Sequence, residues 1–295
     1  NITGDSLSIV ETQSVGSSDN WFDVELSDAG AIRFEVTGDV YATSPLDLTL
    51  SLSDVGGSLY VTSEQSLVVS NHINAVDRID LDGSPVVFSS VSGAFTSGDS
   101  SVIDIRSGSG QDLDILGTVV AGGAGGTSGI VWSGNDASVY LGADQQVYLD
   151  GAVFASDLVE VVGGTPGDDD DDVSILVSTR AGVSSGGQTS DGTPGQVTVQ
   201  SSGDLEIMGH LVGGGTLVQT FDDEGNLESQ SVNWAANGGS VSIAATGQAY
   251  IGGTTVNESG QSVQTGGYVS AADVIDITGH SHSDGTATRI DAVSE

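Results

Sequence analysis

Pairs of apolar residues separated by one residue recur along the chain at fixed offsets. In one segment they are Leu59 and Val61, then Leu67 and Val69, then Ile73. Further segments repeat these offsets, one of them with two residues inserted between 107 and 111. The copies are Ile103, Ile105, Leu113, Ile115 and Val119; Val139, Leu141, Val147, Leu149 and Val153; Val197, Val199, Leu205, Ile207 and Leu211; and Val241, Ile243, Ala249, Ile251 and Thr255. Alternation of this kind is typical of short strands with one buried face.

Glycine follows many of these pairs, in a pattern that we assign to the second half of the repeat. The pattern apolar-x-apolar-x-Gly ends at Gly83, Gly117, Gly151, Gly163, Gly209, Gly253 and Gly279. Glycine suits a tight corner, so each unit is predicted to run strand, corner, strand, corner. One such unit cannot bury its apolar face alone, and stacking of units predicts an all-β fold, a parallel β-helix or solenoid. The alternative, an array of immunoglobulin-like sandwiches, is disfavoured by the fixed offsets and by only three tryptophans.

The spacing between the repeats is uneven, which predicts loops that project from the solenoid. Two of them are predicted to be hairpins, formed by 217–221 with 227–232 and by 254–256 with 261–264, because Gly and Asn at their tips suit tight turns. Residues 1–57 alternate without the repeat and are predicted to form an N-terminal β cap or sandwich-like region. The solenoid is expected over 58–295, with an acidic loop region containing Gly and Pro at about 163–195.

Two of the repeats, at 196–209 and 239–253, resemble those of filamentous-haemagglutinin-type exoproteins. The resemblance covers roughly residues 58–290. It implies a right-handed parallel β-helix within a very large secreted or cell-surface protein that serves adhesion, biofilm formation or sheath construction.

The charge of the chain is strongly negative. Its 41 acidic residues face five arginines, which gives a formal net charge of -36. Such a field disfavours nucleic acid, anionic lipid and polyanionic glycan as partners and favours divalent cations. Adaptation to a saline medium is a second interpretation of the same composition. The chain has no cysteine, and it has no apolar run long enough to predict membrane insertion.

Three acidic or histidine-containing segments are candidate metal sites. Calcium is the predicted ion for the first two, because crowded carboxylates are costly without a hard cation. The alternatives are a solvated acidic loop for the first and ordinary turn chemistry for the second. The third would suit zinc or copper if its two histidines share one face of a strand. The candidates are Asp168, Asp169, Asp170, Asp171 and Asp172; Asp222, Asp223, Glu224 and Asn226; and His280 with His282.

An enzymatic role is not expected, and no catalytic residue is assigned. A uronate lyase would need Lys or Arg near its substrate carboxylates, and the chain has five scattered arginines and no lysine. We therefore expect an extracellular structural or adhesive module of a surface protein, sheath or filament, stabilised by calcium. Its expected partners are further copies of itself, neighbouring repeats, a surface glycan or another cell-surface protein. The alternative is a carbohydrate-binding or polysaccharide-degrading β-helix protein.

Overall fold

The computed structural model describes residues 5–27, 30–126, 129–165, 173–221, 227–252, 254–256, 262–264 and 267–278. All regular structure in these ranges is β-strand, as the sequence predicted. The strands are β1 Ser6–Thr12, β2 Phe22–Asp23, β3 Ala31–Val36, β4 Val40–Ser44, β5 Leu48–Leu50, β6 Ser53–Val55, β7 Ser58–Ser63, β8 Leu67–Val69, β9 His72–Ala75, β10 Arg78–Gly83, β11 Val86–Phe88, β12 Gly93–Thr96, β13 Val102–Ser107, β14 Leu113–Ile115, β15 Thr118–Ala121, β16 Gly123–Gly126, β17 Gly129–Trp132, β18 Ser138–Ala143, β19 Val147–Leu149, β20 Ala152–Ala155, β21 Leu158–Gly163, β22 Val173–Val177, β23 Gly182–Ser185, β24 Gly195–Ser201, β25 Asp204–Ile207, β26 His210–Gly213, β27 Gly215–Phe221, β28 Leu227–Trp234, β29 Gly239–Ala245, β30 Ala249–Ile251, β31 Thr254–Val256, β32 Ser262–Gln264, β33 Tyr268–Ala271 and β34 Val274–Thr278.

The long sheets are parallel and fall into three rows. Row 1 is the ten-stranded sheet β2-β4-β7-β10-β13-β18-β21-β24-β29-β34. The 18-stranded sheet begins with β1 and β3, and β3 pairs with both β5 and β6. From there it divides into row 2, β5-β8-β11-β14-β19-β22-β25-β30, and row 3, β6-β9-β12-β15-β20-β23-β26-β33.

From β4 onward the chain passes through row 1, row 2 and row 3 in that order, again and again. Val40 and Leu59 face each other in neighbouring row 1 strands and are 19 residues apart in sequence. Val197 and Val241 also face each other in row 1, but they are 44 residues apart because a hairpin lies between them in the chain. The strands of the region predicted to be a cap, β4 to β6, lie in the same three rows.

The repeated apolar offsets correspond to columns of buried residues. Leu59 and Val61 lie in row 1, Leu67 and Val69 in row 2, and Ile73 in row 3, and all five are at most 1% exposed. The equivalent residues of successive segments pair with one another in register along each row, including the segment with the two-residue insertion. Alternation placed these side chains on the inner face, where like residues stack and exclude water.

One member of the predicted alignment was wrong. Thr255 does not enter row 3, because it pairs with Val263 in an antiparallel hairpin of β31 and β32. Val269 takes the row 3 position and faces Leu211. Both hairpins predicted from turn residues are confirmed, since β27 also pairs with β28. A third hairpin, β16 with β17, was not predicted.

The glycines after the apolar pairs occupy two different corners, whereas the sequence assigned all of them to one. Gly83 and Gly163 end row 1 strands, and Gly117, Gly151 and Gly209 follow row 2 strands. A Cβ atom at any of the five would meet atoms of the neighbouring segment, most severely the carbonyl oxygen of Gly117 for Gly151. At the row 2 corner the nearest atom is in each case a backbone carbonyl oxygen, so glycine permits the close approach of the two backbones there. At the row 1 corner glycine is not general, because the positions in register with Gly83 and Gly163 hold Ser107 and Ser201.

Candidate binding cleft between two hairpins

All of the metal ligands predicted from the sequence lie outside the described residues. This holds for the five aspartates of 168–172, for the acidic segment 222–226 and for the histidines at 280 and 282. Among the residues that the structure does describe, no group of three or more His, Cys, Asp or Glu side chains is arranged to hold a metal ion. The calcium, zinc and copper sites therefore stay predictions.

Many of the described aspartates have a structural task. Eight of them accept a hydrogen bond from a backbone N–H at least 19 residues away, with donor–acceptor distances between 2.7 and 3.2 Å. Each lies in or beside a turn that leads into a row 1 or row 2 strand, where the backbone leaves its ladder and its N–H groups need acceptors. They are Asp39, Asp47, Asp99, Asp112, Asp136, Asp144, Asp204 and Asp273.

An ion network lies on the outer face of row 1. Asp104 is only 6% exposed and is held between Arg78, at 3.1 Å, and Arg106, at 2.9 Å. Arg78 also binds Asp80 at 2.9 Å. The hydrogen bonds and charge of Asp104 raise the pKa of Arg106 above its usual value. Arg78 and Arg106 are thus paired with neighbouring carboxylates, and their hydrogen bonds compensate for the burial of the Asp104 side chain.

Three aromatic rings precede this network on the same face. The rings of Tyr41 and Tyr60 are stacked with centroids 4.6 Å apart, and Trp21 meets both edge-on. The register of β4 with β7 places the two tyrosines directly side by side. Because the two tyrosine faces cover each other, the group is a packing ladder on the row 1 surface.

A groove of about 580 Å³ runs beside the start of row 3 and includes three carboxylates. They belong to Glu11, Glu35 and Asp54. Glu35 binds Arg33 at 2.8 Å, and Asp54 accepts a 2.7 Å hydrogen bond from Asn74. These bonds give two of the three acidic groups local partners within the fold.

A second apolar cluster lies on the outer face of row 3. Val120, Phe154 and Val212 are at most 7% exposed although they alternate with the inward residues of their strands. Leu217 joins them from β27, and the partly buried Ile130, Trp132 and Val232 of the hairpins pack on the same cluster. The hairpins β16–β17 and β27–β28 therefore cover this face, which explains why apolar residues are tolerated there.

The two hairpins enclose a cleft of about 250 Å³ that contains two of the three tryptophans. None of its lining residues carries a charge, in a chain with 41 acidic residues. The lining consists of Ile130, Trp132, Gln188, Thr216, Val218, Asn233, Trp234 and Ala235. An exposed indole beside amide and hydroxyl groups is a combination suited to a small, uncharged, polar ligand.

Each tryptophan is placed by a glycine on the opposite strand of its hairpin. Trp132 pairs with Gly123, and Trp234 pairs with Gly215. A Cβ atom on Gly215 would lie 3.0 Å from the ring of Trp234, and one on Gly123 would lie 3.1 Å from that of Trp132. Covering a cross-strand glycine is the simplest structural role of each ring. That role leaves the ring of Trp234 largely uncovered, since this residue is 50% exposed.

Hydrogen bonds hold the walls of the cleft together. The indole N–H of Trp132 donates to the hydroxyl of Thr216 at 3.1 Å, which joins the two hairpins. The amide of Asn237 donates to the carbonyl of Gly187 and to the hydroxyl of Thr189, both at 3.1 Å. These bonds link the segment after Trp234 to the loop that carries Gln188. The cleft is therefore preformed.

His210 of β26 is buried beside this region. His210 is 3% exposed, and its ring stacks on Tyr268 at 4.9 Å. Burial lowers the pKa of His210 to about 4. His72 occupies the equivalent position of β9, where it is exposed. Variants of these two histidines therefore compare a buried and an exposed ring at equivalent positions, and so measure the effect of burial on stability.

We expect His210 to reduce stability as the pH falls. Its folded-state pKa lies below the unfolded value, so its contribution is complete above pH 6.5 and is lost toward pH 4. The loss amounts to about 2 kcal/mol at pH 5. In urea unfolding at pH 7 and pH 5, His210→Phe should therefore become more stable relative to the parent protein by that amount. His72→Phe, which changes the exposed histidine at the equivalent position, is the matched control variant, and absence of the gain in His210→Phe would contradict the assignment.

Comparison with known proteins adds no relative: no family model, no curated protein and no solved structure matches the chain. No helix of the described residues is long and apolar enough to span a membrane. Functional inference therefore depends on the rows, the hairpins and the cleft themselves.

The cleft was not predicted from the sequence. Trp132 and Trp234 are about a hundred residues apart in sequence, yet both line one cleft. A signal was present: in each hairpin the tryptophan closes a segment that begins with consecutive glycines, at 122–123 and at 213–215. The cross-strand pairing of glycine with tryptophan could have identified the two hairpins as related insertions.

Proposed function

We propose that the chain coils as a β-solenoid and serves as an extracellular structural or adhesive module of a surface protein, sheath or filament. The observation that supports this is the repeated order of row 1, row 2 and row 3, with in-register parallel pairing along each row. A chain that coils in this way grows along one axis, and adding segments lengthens it without enlarging its core. Such a body is a spacer and a scaffold.

The ends of the rows support assembly as part of the same proposal. The last described strand of row 1, β34, pairs on one side with β29, and its Val274 and Ile275 are 56% and 45% exposed. An open strand edge with apolar side chains can be continued by further repeats or by another copy of the chain. These are the partners that we propose for the solenoid axis.

Calcium is proposed as the ion that permits such contacts. Two bodies with a net charge of -36 each repel one another, and a divalent cation between carboxylates reduces the repulsion. The acidic segments at 168–172 and 222–226 are the proposed positions. Carboxylates that already accept backbone N–H groups, such as Asp39 and Asp204, are not needed for this role.

We expect calcium to raise the stability of the protein and the size of its particles together. At a tenfold excess over the dissociation constant, binding to the folded state alone adds about 1.4 kcal/mol to the free energy of unfolding. Thermal unfolding and light scattering would be followed during a calcium titration, with excess chelator and with sodium chloride of equal ionic strength as controls. Small-angle X-ray scattering on the same samples reports whether the single particle is elongated.

The controls separate the parts of the proposal. A compact particle would overturn the solenoid. Equal effects of sodium and calcium would reduce the role of calcium to screening of charge. Calcium stabilisation without growth in particle size would limit the function to that of a single spacer or adhesive module.

Carbohydrate binding is the second candidate function, and the cleft with Trp132 and Trp234 favours it. An adhesive module needs a recognition site in addition to a rigid body. In this cleft, exposed aromatic surface and uncharged hydrogen-bonding groups lie together.

A further inference from the structure

We infer that the cleft between the hairpins β16–β17 and β27–β28 is a binding site for one unit of a neutral sugar chain, with Trp234 as its stacking platform. The inference rests on the second candidate function proposed above, and it names the class of sugar and the residues that bind it. It depends on the lining of the cleft, the exposure of Trp234 and the charge of the surrounding surface.

The chemistry of the lining fits a sugar. One face of a pyranose ring presents C–H groups, which pack on an indole, while its hydroxyl groups need donors and acceptors at the edge. Trp234 provides half-exposed aromatic surface, and the amide of Gln188 carries both a donor and an acceptor. Ile130 and Val218 line the same cleft and restrict it on the apolar side.

The size of the cleft favours a single sugar unit. Its volume of about 250 Å³ is below the roughly 300–1,000 Å³ of pockets that enclose drug-sized ligands. A polysaccharide can place one sugar residue in such a cleft while the rest of its chain remains in solvent. An adhesive contact made this way is weak at one site and becomes strong when many modules bind together.

The surrounding charge selects neutral sugars over acidic ones. Asp136 and Asp191 lie beside the loop of Gln188, since the backbone N–H of Asp136 donates to the carbonyl of Gln188 and its carboxylate accepts from Ser190. The chain as a whole carries a net charge of -36. A uronate or a sulfated sugar would meet repulsion on approach, without a cation in the lining to compensate for it.

A proline-rich peptide is the competing occupant of an aromatic groove. Recognition of extended proline segments uses a row of parallel aromatic slots, over several residues of peptide. This cleft has one exposed indole, and the second, Trp132, is half-buried and fixed to Thr216. The arrangement thus favours one stacked ring with edge hydrogen bonds.

The test is a binding experiment with the full chain. Isothermal titration calorimetry and ligand-detected NMR would be run with tetraoses of neutral glucose, xylose, galactose and N-acetylglucosamine, with oligogalacturonate, and with a polyproline peptide. We expect millimolar or tighter binding of at least one neutral tetraose. Trp234→Ala should weaken that binding by about tenfold, because it removes the stacking platform.

Matched variants distinguish loss of the site from loss of the fold. Trp21→Ala changes a tryptophan on the outer face of row 1 and should leave sugar binding unchanged. Gln188→Ala should weaken binding without altering the thermal unfolding curve, because the Gln188 side chain is exposed. Trp132 is a positioning residue, and its change to Phe should weaken binding by loosening the contact between the hairpins.

Several results would overturn the inference. These are failure of every neutral tetraose to bind, equal binding by the Trp234→Ala variant, stronger binding of oligogalacturonate, or binding of the polyproline peptide in place of the sugars. The outcome is independent of the calcium experiment. If the chain binds sugar but does not assemble, the sugar site is supported and the assembly role is overturned. If the chain assembles but binds no sugar, the assembly role is supported and the sugar site is overturned.

Discussion

Replacing Gly151 with alanine is expected to destabilise the protein by about 3 kcal/mol or more. A Cβ atom at this position would fall on the backbone carbonyl oxygen of Gly117, in the corner that follows row 2. Backbone on both sides of the contact leaves no flexible side chain to move aside, so the neighbouring segments must separate. Urea unfolding of Gly151→Ala, read by circular dichroism at equilibrium, measures the loss.

A matched glycine in the same part of the chain tests this interpretation. Gly142 lies in β18, and the nearest atom to a Cβ placed there is the carbonyl oxygen of Val162 at 4.0 Å. Gly142→Ala should therefore stay within about 0.5 kcal/mol of the parent protein, or gain slightly from the reduced freedom of its unfolded chain. Similar losses for the two variants would mean that the close approach at Gly151 does not determine the corner.

Removal of the ring of Phe88 is expected to cost about 3–5 kcal/mol. Phe88 lies in β11 and is fully buried, in the row 2 column that contains Val69 before it and Ile115 after it. Phe88→Ala would leave a cavity between three layers of the core, and the regular stacking of those layers limits how far they can close it. The free energy of unfolding from urea titration, at constant slope, is the measurement.

The neighbouring residue provides the control for Phe88. Val87 occupies the same strand with its side chain on the outer, partly exposed face. Val87→Ala should cost less than about 1 kcal/mol, because little apolar area is removed from a buried environment. If both variants lost the same amount, the distinction between inner and outer faces of row 2 would be wrong.

The described structure gives the acidic composition a partial explanation. Eight aspartates bind backbone N–H groups of distant segments at the turns, and Asp104 is held by two arginines. Other carboxyls incur a cost for being ionised in the fold. Burial raises the pKa of Asp82, Asp114 and Asp157, and nearby carboxylates add to that effect. Saline adaptation and calcium binding are thus alternative explanations for the remaining acidic residues only.

What the sequence by itself determined was the periodic part of the protein. Alternation in segments such as 59–73 and 139–153 predicted the strands, their inner faces and the positions that stack. The prediction succeeded because side chains two residues apart on a strand lie on the same face of the sheet, and because identical offsets place like residues in register. The two confirmed hairpins were predicted for the same local reason, since turn residues such as Asn226 and Gly260 act within a few positions of the chain.

Only the tertiary structure decided what distant segments do to each other. It placed Thr255 in a hairpin rather than in row 3, buried His210 while leaving His72 exposed, and divided the corner glycines between two sides of the fold. It also brought Trp132 and Trp234 to one cleft through insertions of different length. These features depend on contacts between segments whose separation varies, and such contacts leave no fixed spacing in the sequence.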